Sequence, residues 1–250
     1  MNRDRIIDFV DRYLDSGHIK DTSQNGLQVE GRTEVKKIVL GVSASLELFR
    51  RAASAGADMI VVHHGLFWGR SYPVRGPFKK KLETLLNSGI TLAAWHLPLD
   101  KHRVAGNNAQ ILKLLGAGNL EPFGIYDGET IGFKGTFARP RTVPEISGLL
   151  RKNLSSDILA FNFGPKMIKT LGVVSGGGQR MFDQAIAAGL DLYITGEVSE
   201  HIQETARENG ANFVSAGHYN TEKTGVWALE KLLRTRFGVK TEFIDVPNQV

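Results

Sequence analysis

The chain contains no cysteine among its 250 residues. This absence excludes disulfides, thiolate nucleophiles, iron–sulfur clusters and every zinc site that uses sulfur. Any bound metal must therefore be held by histidine, aspartate, glutamate or backbone oxygen. The sequence offers seven histidines from which such a site could be built.

Long apolar runs are also missing. No stretch reaches the ~18 residues that a membrane-spanning helix requires. The charged, periodic start MNRDRIIDFVDRYL is unlike a signal peptide. We therefore expect a cytoplasmic protein with no membrane partner. Hydrophobic residues make up 42% of the chain, which is enough for a packed core and excludes wholesale disorder.

An excess of positive charge is present but small, since 31 Lys and Arg against 26 Asp and Glu give a formal net charge of +5. Dense basic runs occur only at residues 79–81 and 139–141. Neither a zinc-finger pattern nor an RNA-binding aromatic motif accompanies them. The charge therefore indicates a solvated surface first, and nucleic-acid binding only as a secondary hypothesis.

The hydrophobic pattern predicts alternating strands and helices. Apolar runs at 36–44, 59–62 and 90–95 lack the alternation of half-exposed strands. Such continuous runs are typical of parallel strands buried on both faces. The same rhythm returns between 170 and 246, after a glycine-rich stretch at 116–128 that is the best candidate for a domain boundary. The pattern predicts an α/β fold with mostly parallel sheets.

The two halves of the chain echo each other. One segment, GVSASLELFRRAASAGADMIVVHHG, begins at Gly41, and a second, GVVSGGGQRMFDQAIAAGLDLYITGE, begins at Gly172. Each runs strand, small-residue turn, helix, Ala-Gly-x-Asp and strand, and in each half a third strand ends in His-x-x-x-carboxylate. We therefore expect an internal duplication, with a first α/β half at residues 1–122 and a second at 123–250.

Histidines follow directly on predicted buried strands, and acidic residues lie four positions beyond two of them. The residues are His63, His64, His96 with Asp100, and His218 with Glu222. Open α/β sheets form their ligand sites beyond the carboxyl ends of strands. Imidazole together with carboxylate suits zinc, iron, manganese, cobalt or nickel. The sequence therefore predicts a divalent-metal site without sulfur.

The adjacency of His63 and His64 limits how they could act. In a continuous strand, neighbouring side chains point to opposite faces, so both could not bind one ion. If the strand breaks at Gly65, each histidine could bind a different ion of a pair that a carboxylate bridges. Two metals about 3.5–4 Å apart would activate a water between them for hydrolysis.

Two further residues are candidates for supporting or catalytic roles. His96 could orient Asp100 or a water rather than bind metal itself. Glu197 occupies the position that matches His64 in the other half, and a supporting or proton-relay role is expected for it. The run Ser175-Gly-Gly-Gly could bind a phosphate through backbone N–H groups, although a tight turn is the more frequent meaning.

Six short motifs together resemble one known family. They are Asn25-Gly-Leu-Gln, Val61-Val-His-His-Gly, Trp95-His-Leu-Pro-Leu-Asp, Ser175-Gly-Gly-Gly, Thr195-Gly-Glu and Gly217-His-x-x-Thr-Glu. In combination they are similar to the GTP cyclohydrolase I type 2 homologues, also described as NGG-one-interacting-factor-like proteins. The resemblance extends from about Asn25 to the C-terminal segment.

The resemblance implies two α/β halves related by duplication, with a pair of divalent metal ions in the cleft between them. The ligands that it implies are His63, His64, Asp100, His218 and Glu222, with Glu222 as the bridging carboxylate. It also implies a toroidal homohexamer, assembled as a trimer of dimers.

Two functions of different classes follow. The first is a dinuclear metal-dependent hydrolase, similar to a cyclohydrolase, that acts on GTP or a related purine nucleotide and uses His96 or Glu197 to relay protons. The alternative is a non-catalytic toroidal assembly that binds a protein or nucleic-acid partner, since a ring with excess positive charge would suit a nucleic acid.

Overall fold

The computed structural model describes residues 1–70, 72–154 and 157–250. Contacts group these residues into two compact units, each built around one β-sheet. Unit 1 comprises Met1–Leu99 and Val226–Pro247, and unit 2 comprises Asp100–Gly225 and Asn248–Val250.

Helices and strands alternate along most of the chain. The helices are α1 (Arg3–Leu14), α2 (Leu46–Ser54), α3 (Gly76–Ser88), α4 (Leu97–Lys101), α5 (Asn107–Leu115), α6 (Val143–Asn153), α7 (Phe182–Ala187), α8 (Ile202–Glu208), α9 (His218–Thr221) and α10 (Lys223–Phe237). The strands are β1 (Gly26–Val29), β2 (Lys37–Ser43), β3 (Met59–His64), β4 (Thr91–Ala94), β5 (Ala117–Tyr126), β6 (Glu129–Arg141), β7 (Leu159–Asn162), β8 (Ile168–Val174), β9 (Leu192–Thr195), β10 (Asn212–Ser215) and β11 (Lys240–Phe243).

The sheet of unit 1 has the strand order β1-β4-β3-β2-β11. The pairs β2/β3, β3/β4 and β11/β2 are parallel, whereas β1 runs antiparallel to β4. Ile38, Val39 and Leu40 are consecutive and all fully buried, so both faces of β2 are covered. This burial explains why the sequence of the strand shows no polar alternation.

The sheet of unit 2 has the strand order β5-β6-β8-β9-β10-β7. Here β8/β9 and β9/β10 are parallel, and the other three strand pairs are antiparallel. In both units, three consecutive parallel strands end beside a short antiparallel strand. The order β2-β3-β4-β1 in unit 1 thus matches β8-β9-β10-β7 in unit 2. The predicted α/β fold with two similar halves is confirmed, and the shared order fits a duplication. Parallel pairing in unit 2 is confined to its three central strands.

The glycine-rich stretch 116–128 forms a strand and a turn rather than a linker. β5 pairs with β6 as an antiparallel hairpin that closes between Tyr126 and Glu129. Asp127 (φ 48°) and Gly128 (φ 86°) are both left-handed, as a tight two-residue hairpin turn requires. The boundary that the sequence predicts between residues 122 and 123 falls inside β5. The contacts instead divide the chain after Leu99 and after Gly225, because β11 pairs with β2 and returns the C-terminal segment to unit 1.

Helix α6 illustrates how local sequence determines an element. Thr142 accepts a hydrogen bond from the Glu145 N–H, and Glu145 accepts one from the Thr142 N–H, which completes a capping box. Pro144 occupies the first turn, where its missing N–H costs nothing. Within the described ranges, no helix has both the length and the apolar character to cross a membrane.

Candidate metal centre

Three histidines meet at the end of β3 and β4 in unit 1. His63 and His64 are the last two residues of β3, and His96 lies two residues beyond β4. The ring centroids are 4.7 Å apart for His63 and His64, 5.1 Å for His63 and His96, and 5.6 Å for His64 and His96. One nitrogen of each ring lies within 4.8 Å of the others, so the three could hold a metal ion.

The two adjacent histidines lie together although both belong to the strand. Simple alternation would send them to opposite faces of the sheet. His64, however, is the last residue of the β2/β3 ladder, paired with Ser43, and Gly65 already lies outside the strand. The alternation therefore no longer controls the direction of the His64 ring. The chain leaves the sheet at Gly65, which is the condition under which the sequence allowed both histidines to act at one site.

Each of these two rings has a protein partner at Nδ1. His63 Nδ1 lies 3.0 Å from the Trp95 carbonyl oxygen, and His64 Nδ1 lies 3.1 Å from Ser43 Oγ. An imidazole held at Nδ1 binds metal through Nε2, and the hydrogen bond orients the ring. His63 is fully buried. Both rings are therefore positioned by strand residues of the same sheet.

His96 is held by a carboxylate that the sequence reasoning missed. Asp21 Oδ1 lies 2.9 Å from His96 Nδ1, and Asp21 also accepts hydrogen bonds from the Leu97 N–H, the Ser23 N–H and the Asn25 amide. The Asp21 side chain is 2% exposed. Burial raises the pKa of Asp21, but its hydrogen bonds, led by that from His96, outweigh burial and lower the pKa to about 2. Asp21 is thus an ionised residue that orients His96.

The motif Asn25-Gly-Leu-Gln supports the same region. The Asn25 side-chain oxygen accepts the His96 backbone N–H at 2.8 Å, and Gln28 Oε1 accepts the Leu66 N–H at 2.7 Å. A Cβ atom on Gly65 would lie 2.2 Å from the Gln28 amide nitrogen. The glycine after the histidine pair is therefore required for the close approach of Gln28, which fastens the loop that follows β3.

In unit 2, His218 lies between two carboxylates. Its Nε2 is 3.2 Å from Glu222 Oε1, and its Nδ1 is 2.6 Å from Glu197 Oε1. Burial lowers the pKa of His218, but the hydrogen bonds and charges of Glu222 and Glu197 outweigh burial and raise the pKa to about 9. Glu222 is 3% exposed. A buried carboxylate beside an imidazole is a composition that binds divalent metals.

The glycine-rich run after β8 leaves room for these side chains. Gly176 has φ +62°, and a Cβ atom there would lie 2.3 Å from Glu222 Oε1 and 3.1 Å from His218 Nε2. The Gly176 N–H donates to Thr221 Oγ1 at 3.0 Å. The run is therefore a tight turn packed against the candidate ligands, and one of the N–H groups that a phosphate would need is already used within the protein.

Asp100 is held by polar side chains of unit 2 that the sequence reasoning did not single out. Its Oδ1 accepts hydrogen bonds from the Asn107 amide and from Ser175 Oγ, each at 2.9 Å. The Asn108 side-chain oxygen accepts the Ser175 N–H at 2.6 Å. Asp100 is 5% exposed. Ser175 touches Asp100, and Gly176 touches Glu222 and His218, so the candidate ligands of unit 2 converge on one turn.

Within its own unit, each candidate site residue therefore lies close to another candidate or to the turn that contacts one. Unit 1 brings together the histidines of β3 with His96. Unit 2 brings His218 together with Glu222 and Glu197, and Asp100 of α4 accepts a hydrogen bond from Ser175 of the adjoining turn. The supporting residues are Asp21, Asn107 and Asn108, and nothing in the sequence singles them out. Asp21 and Asn108 contact residues far along the chain, and Asn107 forms no recognisable short motif with Asp100.

The fold and these side chains define the class: an α/β protein of two similar units, with histidine and carboxylate groups that could bind metal ions. The chain belongs to the DUF34/NIF3 (NGG1p interacting factor 3) family, whose model matches residues 1–249. The family resemblance drawn from the motifs is confirmed.

Individual relatives match over their full length. The chain is 45% identical over 248 residues to the "GTP cyclohydrolase 1 type 2 homolog" of Pyrococcus abyssi, which covers 99% of both chains. It is 40% identical over 253 residues to the protein of the same name in Escherichia coli K12, again with 99% of both chains covered. The solved structure of TTHA1606 from Thermus thermophilus superimposes with a TM-score of 0.92, at 37% identity and with 100% of both chains covered.

Proposed function

We propose that the protein is a dinuclear metal-dependent hydrolase. In this proposal two divalent ions would be held by His63 and His64 of unit 1 and by Asp100, His218 and Glu222 of unit 2, and Glu222 would be the carboxylate that both ions share. The observation that carries the proposal is the hydrogen-bond partner that each candidate histidine has at Nδ1 within its own unit. The rings of His63, His64 and His218 each meet a protein partner at Nδ1, which directs Nε2 toward a metal.

The burial of the acids supports the same ligand set. Asp100 and Glu222 are 5% and 3% exposed. An ionised carboxylate removed from water needs a positive partner, and a divalent cation supplies more positive charge than a single imidazolium. Asp100 is additionally fixed by Asn107 and Ser175, as ligands of metal sites commonly are by hydrogen bonds from outside the ligand set.

The bound ions would supply a water of lowered pKa and polarise the substrate. The protein's own residues provide the rest. Asp21 fixes His96 at Nδ1, so His96 can accept or donate a proton at Nε2. Glu197 holds His218 in place and can take up a proton at its partly exposed carboxylate. The substrate that we propose is GTP or a related purine nucleotide, which the printed name of the relatives suggests.

The test is metal analysis followed by turnover. Protein purified without added metal should carry two divalent ions per chain, and the loaded protein should hydrolyse GTP. His64→Ala and Glu222→Ala should reduce turnover at least ~100-fold, as loss of a metal ligand does. His18→Ala removes an exposed imidazole and serves as the matched control. Absence of turnover over a panel of nucleotides, or equal turnover in Glu222→Ala, would contradict the proposal.

The assembly state is a separate proposal. We propose a toroidal homohexamer, a trimer of dimers, and six copies of 27.5 kDa predict a particle of about 165 kDa in light scattering. A nucleic-acid partner has weaker support, because the basic run at 79–81 is partly engaged within the chain. Lys79 pairs with Glu83 at 3.3 Å, and the Lys81 ammonium donates to the Ala44 carbonyl at 2.7 Å. A salt-dependent shift of DNA by the protein would nevertheless favour the binding function over the hydrolase.

A further inference from the structure

A cavity of about 680 Å³ opens in unit 1 directly after the histidine pair. It begins at Gly65, the residue that follows His64. The side chains that give the cavity its character are Leu66, Trp68, Tyr72, Arg75, Phe78 and Lys81. Small-molecule sites commonly have volumes of roughly 300–1,000 Å³, so the cavity is large enough for a ligand. None of the residues assigned above as metal ligands is among its lining.

Aromatic rings form the walls. Trp68 donates its indole N–H to the Gly65 carbonyl at 3.0 Å, which fixes the orientation of the ring. The same indole lies 4.9 Å from the His96 ring and 5.8 Å from the His64 ring, measured between centroids. Trp68 therefore lies between the cavity and the histidine cluster. A flat ligand that stacks on it would present one edge near those histidines.

A second aromatic contact joins the loop before helix α3 to the first turn of that helix. Tyr72 and Phe78 have ring centroids 5.5 Å apart at an interplanar angle of 39°. The Arg70 guanidinium lies 5.1 Å from the Tyr72 ring centroid, so this ring already takes part in a cation–π contact. Exposed or half-exposed aromatic faces of this kind favour planar rings, whatever their hydrogen-bonding pattern.

The charge of the cavity has one sign. Its charged lining residues are Arg75 and Lys81, and none of the described lining residues is acidic. Lys81 is half-buried, and its hydrogen bond to the Ala44 carbonyl holds the ammonium in place. Arg75 is exposed and precedes helix α3. Guanidinium and ammonium groups in this setting favour an anionic group such as phosphate.

We propose that this cavity binds a nucleotide, with the base stacked on Trp68 and Tyr72 and the phosphate at Arg75 and Lys81. The proposal rests on the proposed function in one respect, namely that the bound nucleotide is the substrate whose reacting edge faces the histidines. The claim that a nucleotide binds here depends only on the residues that line the cavity. The bound metal ions would then supply an activated water, and the aromatic loop with Arg75 and Lys81 would select a flat, anionic substrate.

The test measures binding and not turnover. GMP is titrated by calorimetry into the full chain treated with a chelator, so that bound metal does not contribute. Wild type should bind GMP, and Trp68→Leu and Arg75→Ala should each weaken binding about tenfold, as loss of one stacking or phosphate contact does. Trp68→Phe keeps an aromatic face and should recover most of the affinity. Arg139→Ala, at an exposed arginine that does not line the cavity, is the matched control.

Two smaller probes separate the parts of the ligand. Guanosine lacks the phosphate and ribose 5-phosphate lacks the base, and each should bind at least tenfold more weakly than GMP. Ribose 5-phosphate that binds as tightly as GMP would overturn the stacking role of Trp68. Guanosine that binds as tightly as GMP would overturn the role of Arg75 and Lys81. Unchanged GMP affinity in both Trp68→Leu and Arg75→Ala would refute the site as a whole.

Failure of this inference and failure of the hydrolase proposal give different results. Glu222→Ala should abolish turnover and keep GMP binding, because Glu222 does not line the cavity. GTP hydrolysis with a KM unchanged in Trp68→Leu would refute the cavity and leave the hydrolase standing. GMP binding that depends on Trp68, without turnover of any nucleotide by the metal-loaded protein, would refute the hydrolase proposal and leave the nucleotide-binding cavity standing.

Discussion

Replacing Glu197 by glutamine should change metal binding by an amount that depends on pH. In the metal-free protein His218 lies 2.6 Å from Glu197 and 3.2 Å from Glu222, and burial opposes but does not cancel their effect, which raises its pKa to about 9. At pH 7 His218 is therefore protonated on both nitrogens. A metal can bind Nε2 only after that proton leaves.

The size of the effect follows from the competition between proton and metal. With a pKa of about 9, the apparent affinity at pH 7 is lower than its limiting value by about 100-fold, or ~2.7 kcal/mol. The affinity of wild type should thus rise about tenfold per pH unit between pH 7 and 9 and then level off. The sign is set by the raised pKa, because protonated His218 is the dominant form throughout this window.

The substitution Glu197→Gln has two opposing consequences. It removes a negative charge from Nδ1 and so lowers the pKa of His218, which weakens the proton's competition at pH 7. It also removes the carboxylate that orients the ring and makes Nε2 more basic, which typically costs 10–100-fold in metal affinity. Because the two side chains are 28% and 32% exposed, solvent screens the pair and we expect the lower figure. The variant should bind metal about tenfold more weakly at pH 9.5, with a smaller difference at pH 7.

The assay is Zn²⁺ competition against a chromophoric chelator between pH 6.5 and 9.5. Glu200→Gln is the matched control, since Glu200 is an exposed glutamate three residues further along. Circular dichroism checks that each variant is folded. A wild-type affinity that does not change between pH 7 and 9, or an equal loss in Glu197→Gln at every pH, would refute the reasoning that His218 exchanges a proton for metal.

Further predictions concern the turn and the loop that support the candidate ligands. Gly176→Ala should lose metal and stability, because its Cβ would lie 2.3 Å from Glu222 Oε1. The control Gly189→Ala, with φ +63° and no atom within 4 Å, should lower the free energy of unfolding only by the ~1 kcal/mol of a left-handed backbone. Metal analysis and thermal unfolding measure the two effects. Asp21→Asn should lower the free energy of unfolding by about 2 kcal/mol at pH 7. Since the pKa of Asp21 is lowered from 3.8 to about 2, that contribution is present above pH 4 and lost as the pH falls through 2, so the difference in urea unfolding should shrink in acid. Ser175→Ala should weaken metal binding a few-fold by removing one hydrogen bond to Asp100, whereas a result equal to wild type would mean that Asn107 alone positions this carboxylate.

The parallel strands could be predicted because burial on both faces leaves a direct mark on the sequence. The middle of β2 (residues 38–42) and the start of β3 (residues 59–62) carry no charged or polar side chain, and such a run is typical of a strand covered on both faces. The β5–β6 hairpin was not predicted. Its Asp127-Gly128 turn is a hairpin signal, but the surrounding glycines resemble a linker until β6 is seen to pair with both β5 and β8.

The residues of the candidate site also differ in whether the sequence could predict them. Histidines at strand ends can be recognised in sequence, because the strand places them and the strand is visible in the hydrophobic pattern. Asp21 could not be recognised, since it lies 75 residues from His96 and carries no local motif. The meeting of His63 and His64 was also hidden. It depends on where the ladder with Ser43 stops, and a difference of one residue in a strand end changes the face.

The sequence by itself determined the chemistry available to this protein. Without cysteine, and with histidines and acids behind buried strands, its candidate metal ligands are imidazole and carboxylate. Only the tertiary structure decided how those groups are oriented and what surrounds them. The Nδ1 partners of His63, His96 and His218 come from residues 21 to 75 positions away, and the aromatic cavity beside His64 is shaped by a loop and a helix together. Such contacts arise from packing between elements, which local sequence patterns do not encode.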